Sequence, residues 1–127
     1  MTIKSPQSLV SEALNEVKTI SAKEALELSQ NNKCNLIDIR DGLELEREGT
    51  VENSFNISRG LLEFSIHPDS PFIQENGIDL HKEIVLFCAA GGRSALAAKT
   101  LKEMGFDKVS HVQGGFFSMK NSGFKIE

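Results

Sequence analysis

Cys88 lies between a predicted buried strand and a glycine-containing loop, a position in which a cysteine can be a reactive thiolate. It follows the apolar run Ile84–Phe87 and precedes a short loop that contains Gly91 and Gly92. Successive backbone N–H groups in such a loop can point inward and bind an anion. A helix predicted to begin near Ser94 adds the positive end of its dipole. These surroundings favour an ionised Cys88, which predicts a nucleophile that needs no general base.

Arg93 ends this loop and adds a fixed positive charge with a planar fork of N–H donors. A cation is electrostatically unfavourable at a helix N-terminus, and an anion bound in the loop would explain its position. The competing interpretation makes Cys88 a small buried apolar residue and Arg93 a surface residue. The loop, the charge and the helix start taken together favour the catalytic interpretation.

The other cysteine and the three histidines give no second reactive site. Cys34 begins a predicted strand and is interpreted as a packing residue, which would act as a resolving thiol only if it lay near Cys88. A structural disulfide is not expected in a reducing compartment. His67, His81 and His111 are scattered along the chain, so no metal site is predicted.

The elements that must position Cys88 alternate between short apolar runs and helical patterns. Strands are predicted over Cys34–Ile39, Phe55–Ile57, Glu83–Phe87 and Val109–Val112. Helices are predicted over Ser8–Val17, Ala22–Ser29, Leu43–Glu48, Gly60–Ile66, Ser94–Met104 and Phe116–Lys120, with an irregular segment over Pro68–Gly77. The alternation predicts an α/β fold with a mainly parallel sheet, in which sites lie beyond the carboxyl ends of the strands.

The length and composition indicate a single folded domain. The chain has 127 residues, of which 39% are hydrophobic and 25% charged, as in ordinary soluble globular proteins. Its net charge of -4 gives no general attraction to nucleic acid. No apolar stretch is long enough to span a bilayer, and the polar N-terminus over Met1–Pro6 does not resemble a secretory signal. A cytoplasmic location is therefore expected, with neither nucleic acid nor a membrane as a partner.

Several pieces of the sequence, in their order and spacing, resemble the motifs of rhodanese-like domains. They are LIDIRD (Leu36–Asp41), Glu46, Gly49, FNISRG (Phe55–Gly60), IVLFCAAGGRSALAA (Ile84–Ala98), GF (Gly105–Phe106) and QGG (Gln113–Gly115). The most specific piece is CAAGGRS, because it joins the strand before it to the helix after it. The resemblance implies a rhodanese-like domain over 21–127, preceded by a helical extension over 1–20. It also implies a three-layer fold in which helices flank the central sheet.

The same resemblance implies a sulfurtransferase of the thiosulfate sulfurtransferase type, without a cofactor. Cys88 would attack the outer sulfur of a small anionic donor such as thiosulfate. It would then carry that sulfur as a persulfide to cyanide, to a thiol or to a protein acceptor. Arg93 would bind the anionic part of the donor. The other groups implied around the substrate belong to Ala89, Ala90, Gly91, Gly92 and Ser94.

Three further residues are expected to support the site. Arg59 is predicted to reach the mouth of the pocket and attract anions, with a solvated surface arginine as the alternative. Asp38 and Arg40 resemble the Asp-x-Arg pair of the family and are interpreted as structural. Asp38 is predicted near the backbone of the loop, and Arg40 is predicted to pair with Glu46 or Asp41.

Three other functions compete with the sulfurtransferase, and the motif fits them to different degrees. A persulfide carrier that serves a protein partner would keep the loop but turn over small substrates slowly. Phosphatases and arsenate reductases of this fold have a loop one residue longer than the six-residue span Cys88–Arg93, which widens the pocket for phosphate, so the sequence favours a sulfurtransferase over them. A catalytically silent interaction domain would need neither Cys88 nor Arg93, so the presence of both residues argues against it. The chain also departs from many relatives, which place a Trp after the Gly-Gly pair where this one has Phe116, Phe117 and Met119.

Overall fold

The sheet predicted around Cys88 has five strands in the computed structural model, which describes residues 2–127. They are β1 (Lys18–Ile20), β2 (Cys34–Asp38), β3 (Phe55–Asn56), β4 (Glu83–Phe87) and β5 (Val109–Val112). They lie in the order β1-β5-β4-β2-β3, and every neighbouring pair is parallel. The predicted α/β fold with a mainly parallel sheet is confirmed.

Seven α-helices of the described residues cover the two faces of the sheet. They are α1 (Pro6–Leu14), α2 (Ala22–Gln30), α3 (Gly42–Glu48), α4 (Leu62–Ile66), α5 (Pro71–Glu75), α6 (Gly92–Met104) and α7 (Gly115–Lys120), and a 3-10 turn covers Arg59–Leu61. Helices α1 and α4 pack against α6 on one face, and α2 packs against α7 on the other. The predicted three layers are therefore confirmed. No helix in residues 2–127 is long and apolar enough to cross a membrane.

The central strand β4 shows why the sheet is stable. Ile84, Val85, Leu86 and Phe87 are each at most 1% exposed, because helices cover both faces of the sheet. Side chains alternate across a strand, so Ile84 and Leu86 join the core on the α6 side, while Val85 and Phe87 join the core on the α7 side. Cys88 therefore follows a fully buried strand, at the carboxyl edge of the sheet.

The N-terminal segment differs from the prediction. The helix expected over Ser8–Val17 runs from Pro6 to Leu14, and Lys18–Ile20 forms an edge strand that was not predicted. The three residues of β1 carry no apolar run that would reveal a strand, and they are extended because they pair with β5. The segment 1–20, predicted as a helical extension, thus also contributes a strand to the central sheet; Met1 lies outside the described residues.

The prediction of an irregular segment over Pro68–Gly77 is wrong, because the segment contains α5. The hydroxyl of Ser70 accepts the N–H of Ile73 at 3.3 Å, and Pro71 occupies the first helical position. A capping serine followed by proline is a local signal for a helix start. The helix has only five residues, too few to show an apolar period.

A buried ion pair ties the end of β2 to the layers around it. Asp38 is 1% exposed and Arg40 is 0% exposed, and Nη2 of Arg40 donates to Oδ2 of Asp38 at 2.8 Å. Arg40 also donates to the carbonyl of Gly49 at 2.9 Å, and its guanidinium carbon lies 3.9 Å from the ring centre of Phe116. The pair therefore connects β2, the end of α3 and the start of α7.

The partners predicted for Arg40 are wrong. Arg40 pairs with Asp38 and approaches Glu48 at 3.7 Å, rather than Glu46 or Asp41. Asp41 stands at the N-terminal cap of α3 and Glu46 lies on its exposed face, so neither carboxylate faces the interior.

Removal of one charged member of the Asp38–Arg40 pair should lower the stability of the fold. Asp38→Asn keeps the shape of the side chain but removes the buried carboxylate that hydrogen-bonds the guanidinium of Arg40. We expect the free energy of unfolding, measured by urea denaturation, to fall by about 3–5 kcal/mol. The control Glu48→Gln removes a more distant and more exposed carboxylate and should cost less than about 1 kcal/mol. Equal losses in the two variants would contradict the role given to Asp38.

Candidate active site

Cys88 lies at the carboxyl end of β4, in the loop that leads into α6. Only 1% of the residue is exposed, so the loop shields its sulfur from bulk water. The sulfur accepts hydrogen bonds from the N–H of Gly91 at 3.1 Å and from the N–H of Ser94 at 3.4 Å. Its own S–H donates to the hydroxyl of Ser94 at 3.6 Å. The two N–H donors favour negative charge on the sulfur.

Helix α7 sets the direction of this loop from outside. The N–H groups of Phe116 and Phe117 donate to the carbonyls of Cys88 and Ala89, at 2.7 and 3.2 Å. The C=O and N–H of a trans peptide point in opposite directions. The N–H groups of Ala89 and Ala90 therefore point away from α7.

Several amides of the loop keep their hydrogen-bonding capacity for a ligand. Residues 2–127 offer no acceptor to the backbone N–H groups of Ala89, Ala90, Gly92 and Arg93. Gly92 and Arg93 begin α6, so their N–H groups also lie at the positive end of the helix dipole. Gly91 turns the chain into the helix at a φ of 109°, a conformation that favours glycine. The structure thus gathers these predicted anion-binding groups in one loop with Cys88.

Arg93 is bound by a carboxylate that the sequence analysis did not single out. Its Nη1 and Nη2 donate to the two carboxylate oxygens of Glu44 at 2.7 and 2.9 Å. This hydrogen bonding lowers the pKa of Glu44 to about 2, and the carboxylate raises the pKa of Arg93. Since the ordinary pKa of Glu44 is 4.5, the pair stabilises the fold above pH 4.5, and this contribution is lost as the pH falls toward 2.

Glu44 is held in place for this contact by its own helix. It is the third residue of α3, and its carboxylate accepts the N–H of Asp41 at 3.1 Å, as in a capping box. An open groove of about 540 Å³ runs beside the pair and is lined by Asp41, Glu44, Arg47, Glu48 and Arg93. Three carboxylates and two guanidinium groups line this groove, so it is not a general attractor of anions.

Arg59 is directed away from the loop. Its Nη1 donates to Glu63 at 2.8 Å and its Nη2 donates to Thr100 at 3.3 Å. Thr100 lies eight residues beyond Gly92 in α6, roughly 12 Å along the helix axis. This position supports the alternative of a surface arginine rather than the predicted role at the mouth of the pocket.

Asp38 and Arg40 lie beside the loop without touching the sulfur. Asp38 pairs in register with Phe87, the residue before Cys88, but its carboxylate turns to Arg40. Arg40 in turn lies against the ring of Phe116, whose N–H holds the carbonyl of Cys88. The two residues can therefore act on the loop only indirectly, through β4 and α7.

A chain of polar groups continues from Ser94 into the sheet. The hydroxyl of Ser94 lies 2.9 Å from Nδ1 of His111, and Nε2 of His111 lies 2.9 Å from the hydroxyl of Thr19. His111 is 1% exposed, and burial lowers its pKa, so its ring is neutral at neutral pH. In the sequence, His111 is interpreted as one of three scattered histidines. The signal for its role is a histidine inside a short strand that is otherwise predicted to be buried.

Cys34 lies at the opposite end of the sheet from Cys88. It pairs in register with Glu83 at the start of β4, and the five residue steps from Glu83 to Cys88 span roughly 16 Å of extended strand. Burial raises the pKa of the Cys34 thiol to about 11. Cys34 is therefore a packing residue and not a resolving thiol. Within residues 2–127 no group of three or more His, Cys, Asp or Glu side chains is arranged to hold a metal ion.

Comparison with known proteins decides the family. The family model of the rhodanese-like domain matches residues 21–122. The chain belongs to the rhodanese-like family. The match covers every element from α2 to α7, including the Cys88 loop, while β1 lies outside it. The resemblance found in the sequence is thus confirmed.

The relatives of this rhodanese-like chain include named sulfurtransferases. Thiosulfate sulfurtransferase GlpE of Actinobacillus pleuropneumoniae serotype 5b is 32% identical over 108 residues, which cover 85% of this chain and 91% of the relative. A homodimeric polysulfide-sulfur transferase of Wolinella succinogenes has a TM-score of 0.73 at 34% identity, over 95% of this chain and 85% of that one. A Rhodopseudomonas palustris protein of unknown function, described as a possible tyrosine phosphatase, has a TM-score of 0.86 at 38% identity, over 100% and 98% of the two chains.

Gly115→Ala should displace the Cys88 loop, because Gly115 lies at the start of α7 where α7 contacts this loop. A Cβ at this position would overlap the carbonyl oxygen of Cys88 and lie 2.8 Å from the carbonyl carbon of Ala89. We expect a loss of more than about 2 kcal/mol in the free energy of unfolding and slower alkylation of Cys88.

The matched control for this substitution is Gly77→Ala. Gly77 has a φ of 60°, close to the 55° of Gly115, but a Cβ there would have no neighbour within 4 Å. It should therefore carry only the strain of the left-handed conformation, about 1–2 kcal/mol, with unchanged alkylation. If both variants behaved alike, the contact with the loop would not be the reason for glycine at position 115.

Proposed function

We propose that this protein is a sulfurtransferase that carries sulfane sulfur as a persulfide on Cys88. The observation that carries the proposal is the position of the Cys88 sulfur, which accepts the N–H groups of Gly91 and Ser94 at the start of α6. A sulfur in this position is favoured as a thiolate, the form that attacks another sulfur. The rhodanese-like family and the named sulfurtransferases among the relatives support the same chemistry.

The proposed transfer has two balanced steps. With thiosulfate as donor, the Cys88 thiolate attacks the outer sulfur, the S–S bond of thiosulfate breaks, and sulfite leaves with the bonding electron pair. Cys88 then carries a persulfide anion. An acceptor such as cyanide next attacks the terminal sulfur, and thiocyanate leaves. The electron pair of the broken S–S bond returns to Cys88, which is again a thiolate.

The loop amides provide the binding site for the transferred sulfur in this proposal. The N–H groups of Ala89, Ala90, Gly92 and Arg93 have no acceptor among the described residues and belong to the same loop as the sulfur. Preorganised N–H groups stabilise developing negative charge without having to reorganise. They therefore bind the terminal sulfur of the persulfide, while the N–H groups of Gly91 and Ser94 stabilise the Cys88 sulfur as a leaving group.

Arg93 contributes less to donor binding than the sequence led us to expect. Its guanidinium already binds both carboxylate oxygens of Glu44. A dianionic donor would have to share the guanidinium with that carboxylate or displace it. We therefore propose that donor binding relies on the amides and that the negative charge of Glu44 opposes a dianionic donor. Arg93 mainly fixes the end of the loop against α3, and a neutral oxygen at position 44 can still accept its hydrogen bond.

A persulfide relay and a phosphatase are the competing functions. A relay would load sulfur readily but pass it slowly to small acceptors, because its acceptor would be another protein. A phosphatase is favoured by the description of the Rhodopseudomonas palustris structure. The six-residue span Cys88–Arg93, in which the N–H of Gly91 approaches the sulfur at 3.1 Å, favours a single sulfur atom over the larger phosphate.

The first experiment is the intact mass of the reduced protein after incubation with thiosulfate. We expect a gain of one sulfur atom that cyanide removes. Cys88→Ala should show no gain. The matched control Cys34→Ala should gain the sulfur as the unmodified protein does, because Cys34 lies at the other end of the sheet.

The same samples distinguish the competing functions. Loading followed by fast turnover with cyanide supports the sulfurtransferase, whereas loading with slow turnover supports the relay. A protein that gains no sulfur from thiosulfate or an inorganic polysulfide, but hydrolyses p-nitrophenyl phosphate through Cys88, would be a phosphatase. That result would overturn the proposed function.

Glu44→Gln tests the electrostatic role of the Arg93 partner. Glutamine keeps the oxygen that accepts the N–H of Asp41, so the cap of α3 is retained, but it removes the negative charge beside Arg93. We expect kcat/KM for the dianion thiosulfate to rise on the order of three- to tenfold at low ionic strength, and the gain to shrink at high salt.

A monoanionic thiosulfonate donor serves as the control for this variant. The rise in kcat/KM should be smaller for the thiosulfonate than for thiosulfate, because the repulsion between Glu44 and the donor that the substitution removes scales with the charge of the donor. A decrease in kcat/KM for both donors would mean that Glu44 is needed to hold Arg93 in place, and would contradict the proposal that its charge opposes the donor.

A further inference from the structure

The hydroxyl of Ser94 lies between the reactive sulfur and a buried histidine. It is 3.6 Å from Sγ of Cys88 and 2.9 Å from Nδ1 of His111. The other ring nitrogen of His111 lies 2.9 Å from the hydroxyl of Thr19 on strand β1. Ser94 is 0% exposed and His111 is 1% exposed, so water cannot easily replace either partner. Three side chains from α6, β5 and β1 thus form one continuous chain that ends at the sulfur.

We propose that His111 is a positioning residue that holds the Ser94 hydroxyl toward Cys88, and that Thr19 fixes the tautomer of His111 in which it does so. The inference rests on the proposed function only in taking Cys88 as the nucleophile. His111 itself touches neither the sulfur nor a substrate, and it acts through Ser94.

The number of protons that these groups can donate fixes the directions of the hydrogen bonds. A thiolate can only accept hydrogen bonds, and a hydroxyl has one proton to donate. If Ser94 donates that proton to the Cys88 thiolate, its oxygen can only accept from His111, so Nδ1 must carry the hydrogen. In a neutral imidazole Nε2 is then the acceptor, and the hydroxyl of Thr19 can donate to it.

Protonation of Cys88 reverses the hydrogen bond between Cys88 and Ser94. The thiol then donates to the oxygen of Ser94, and the Ser94 proton goes to Nδ1 of His111 or to the carbonyl of Gly91, 3.3 Å away. The direction of the Cys88–Ser94 hydrogen bond is therefore linked to the charge on the sulfur. Without the donor at Nδ1, nothing opposes donation from Ser94 to Gly91, and the thiolate loses part of its stabilisation.

Three cations on the surrounding elements are already paired with carboxylates. Arg93 of α6 binds Glu44, and Lys18 of β1 binds Glu83 of β4 at 3.0 Å. Further along α6, Lys99 lies 3.4 Å from Glu16. A substitution at His111 changes none of these pairs, so its effect on Cys88 can be assigned to the polar chain.

Thr19 lies outside the region that the family model matches, which begins at residue 21. The strand that carries it, β1, pairs with β5 in a register that places Thr19 opposite His111. The N-terminal segment thus supplies the outer end of the chain to a site that lies in the matched region.

The test is the rate at which iodoacetamide alkylates Cys88 as a function of pH, measured by peptide mass in the full-length protein. His111→Leu should move the midpoint of the profile to higher pH and slow alkylation below the midpoint about three- to tenfold. His111→Asn, whose amide can donate at the place of Nδ1, should restore most of the rate. Near-native thermal unfolding of each variant is required before rates are compared.

A double variant separates positioning from a general structural effect. Because His111 acts through Ser94, His111→Leu should cause no further slowing in a Ser94→Ala background. An equal loss in both backgrounds would overturn the proposal, as would a His111→Leu profile that does not move. If His111→Leu does not fold, Thr19→Val at the edge strand takes its place. Its profile should move in the same direction while Thr19→Ser stays unchanged, and an unmoved Thr19→Val profile would overturn the proposal.

Alkylation does not depend on sulfur transfer. If the alkylation profiles of the His111 variants change as expected but the protein takes up no sulfur, the inference about His111 stands and the proposed function is wrong. If the protein transfers sulfur but the alkylation profiles do not move, the proposed function stands and the inference about His111 is wrong.

Discussion

The site depends on the contact between the start of α7 and the loop that follows β4. Two N–H groups of α7 hold the carbonyls of Cys88 and Ala89, and Gly115 leaves the space for this approach. The carbonyls are thereby turned outward, so that the amides of the same peptides are directed away from α7. Without this contact, the loop would have the right residues but no fixed direction for its donors.

The buried Arg40 extends the same constraint into the core. It is neutralised by Asp38 on β2 and lies against the ring of Phe116, the residue that binds the carbonyl of Cys88. A buried guanidinium is tolerated only where its charge is neutralised, which limits how far β2, α3 and α7 can shift. Phe116, which follows the Gly114-Gly115 pair, is therefore both a core residue and a support of the Cys88 loop.

Features that are local in sequence could be predicted, and features that join distant residues could not. The apolar run of β4, the glycines after Cys88 and the start of α6 lie together, so their pattern indicated the strand, the loop and the nucleophile. Arg93 and Glu44 are 49 residues apart, and the sequence gives each of them an adequate surface role alone. Strand β1 was missed for the same reason, because it is extended only through its pairing with β5. His111 carried a local signal, its place inside the short buried strand β5, but its partners Ser94 and Thr19 are distant in sequence.

The distance between the two cysteines bears on how the protein recovers from oxidation. A disulfide requires Cα atoms within about 7 Å, whereas Cys34 and Cys88 lie at opposite ends of the sheet. A sulfenic acid formed on Cys88 therefore cannot condense with the other thiol of its own chain. Its reduction depends on a thiol that enters from solution and reaches the same sulfur as the acceptor of the proposed transfer. Repair and the proposed transfer therefore both require access to Cys88, and a reagent that blocks this access would stop both.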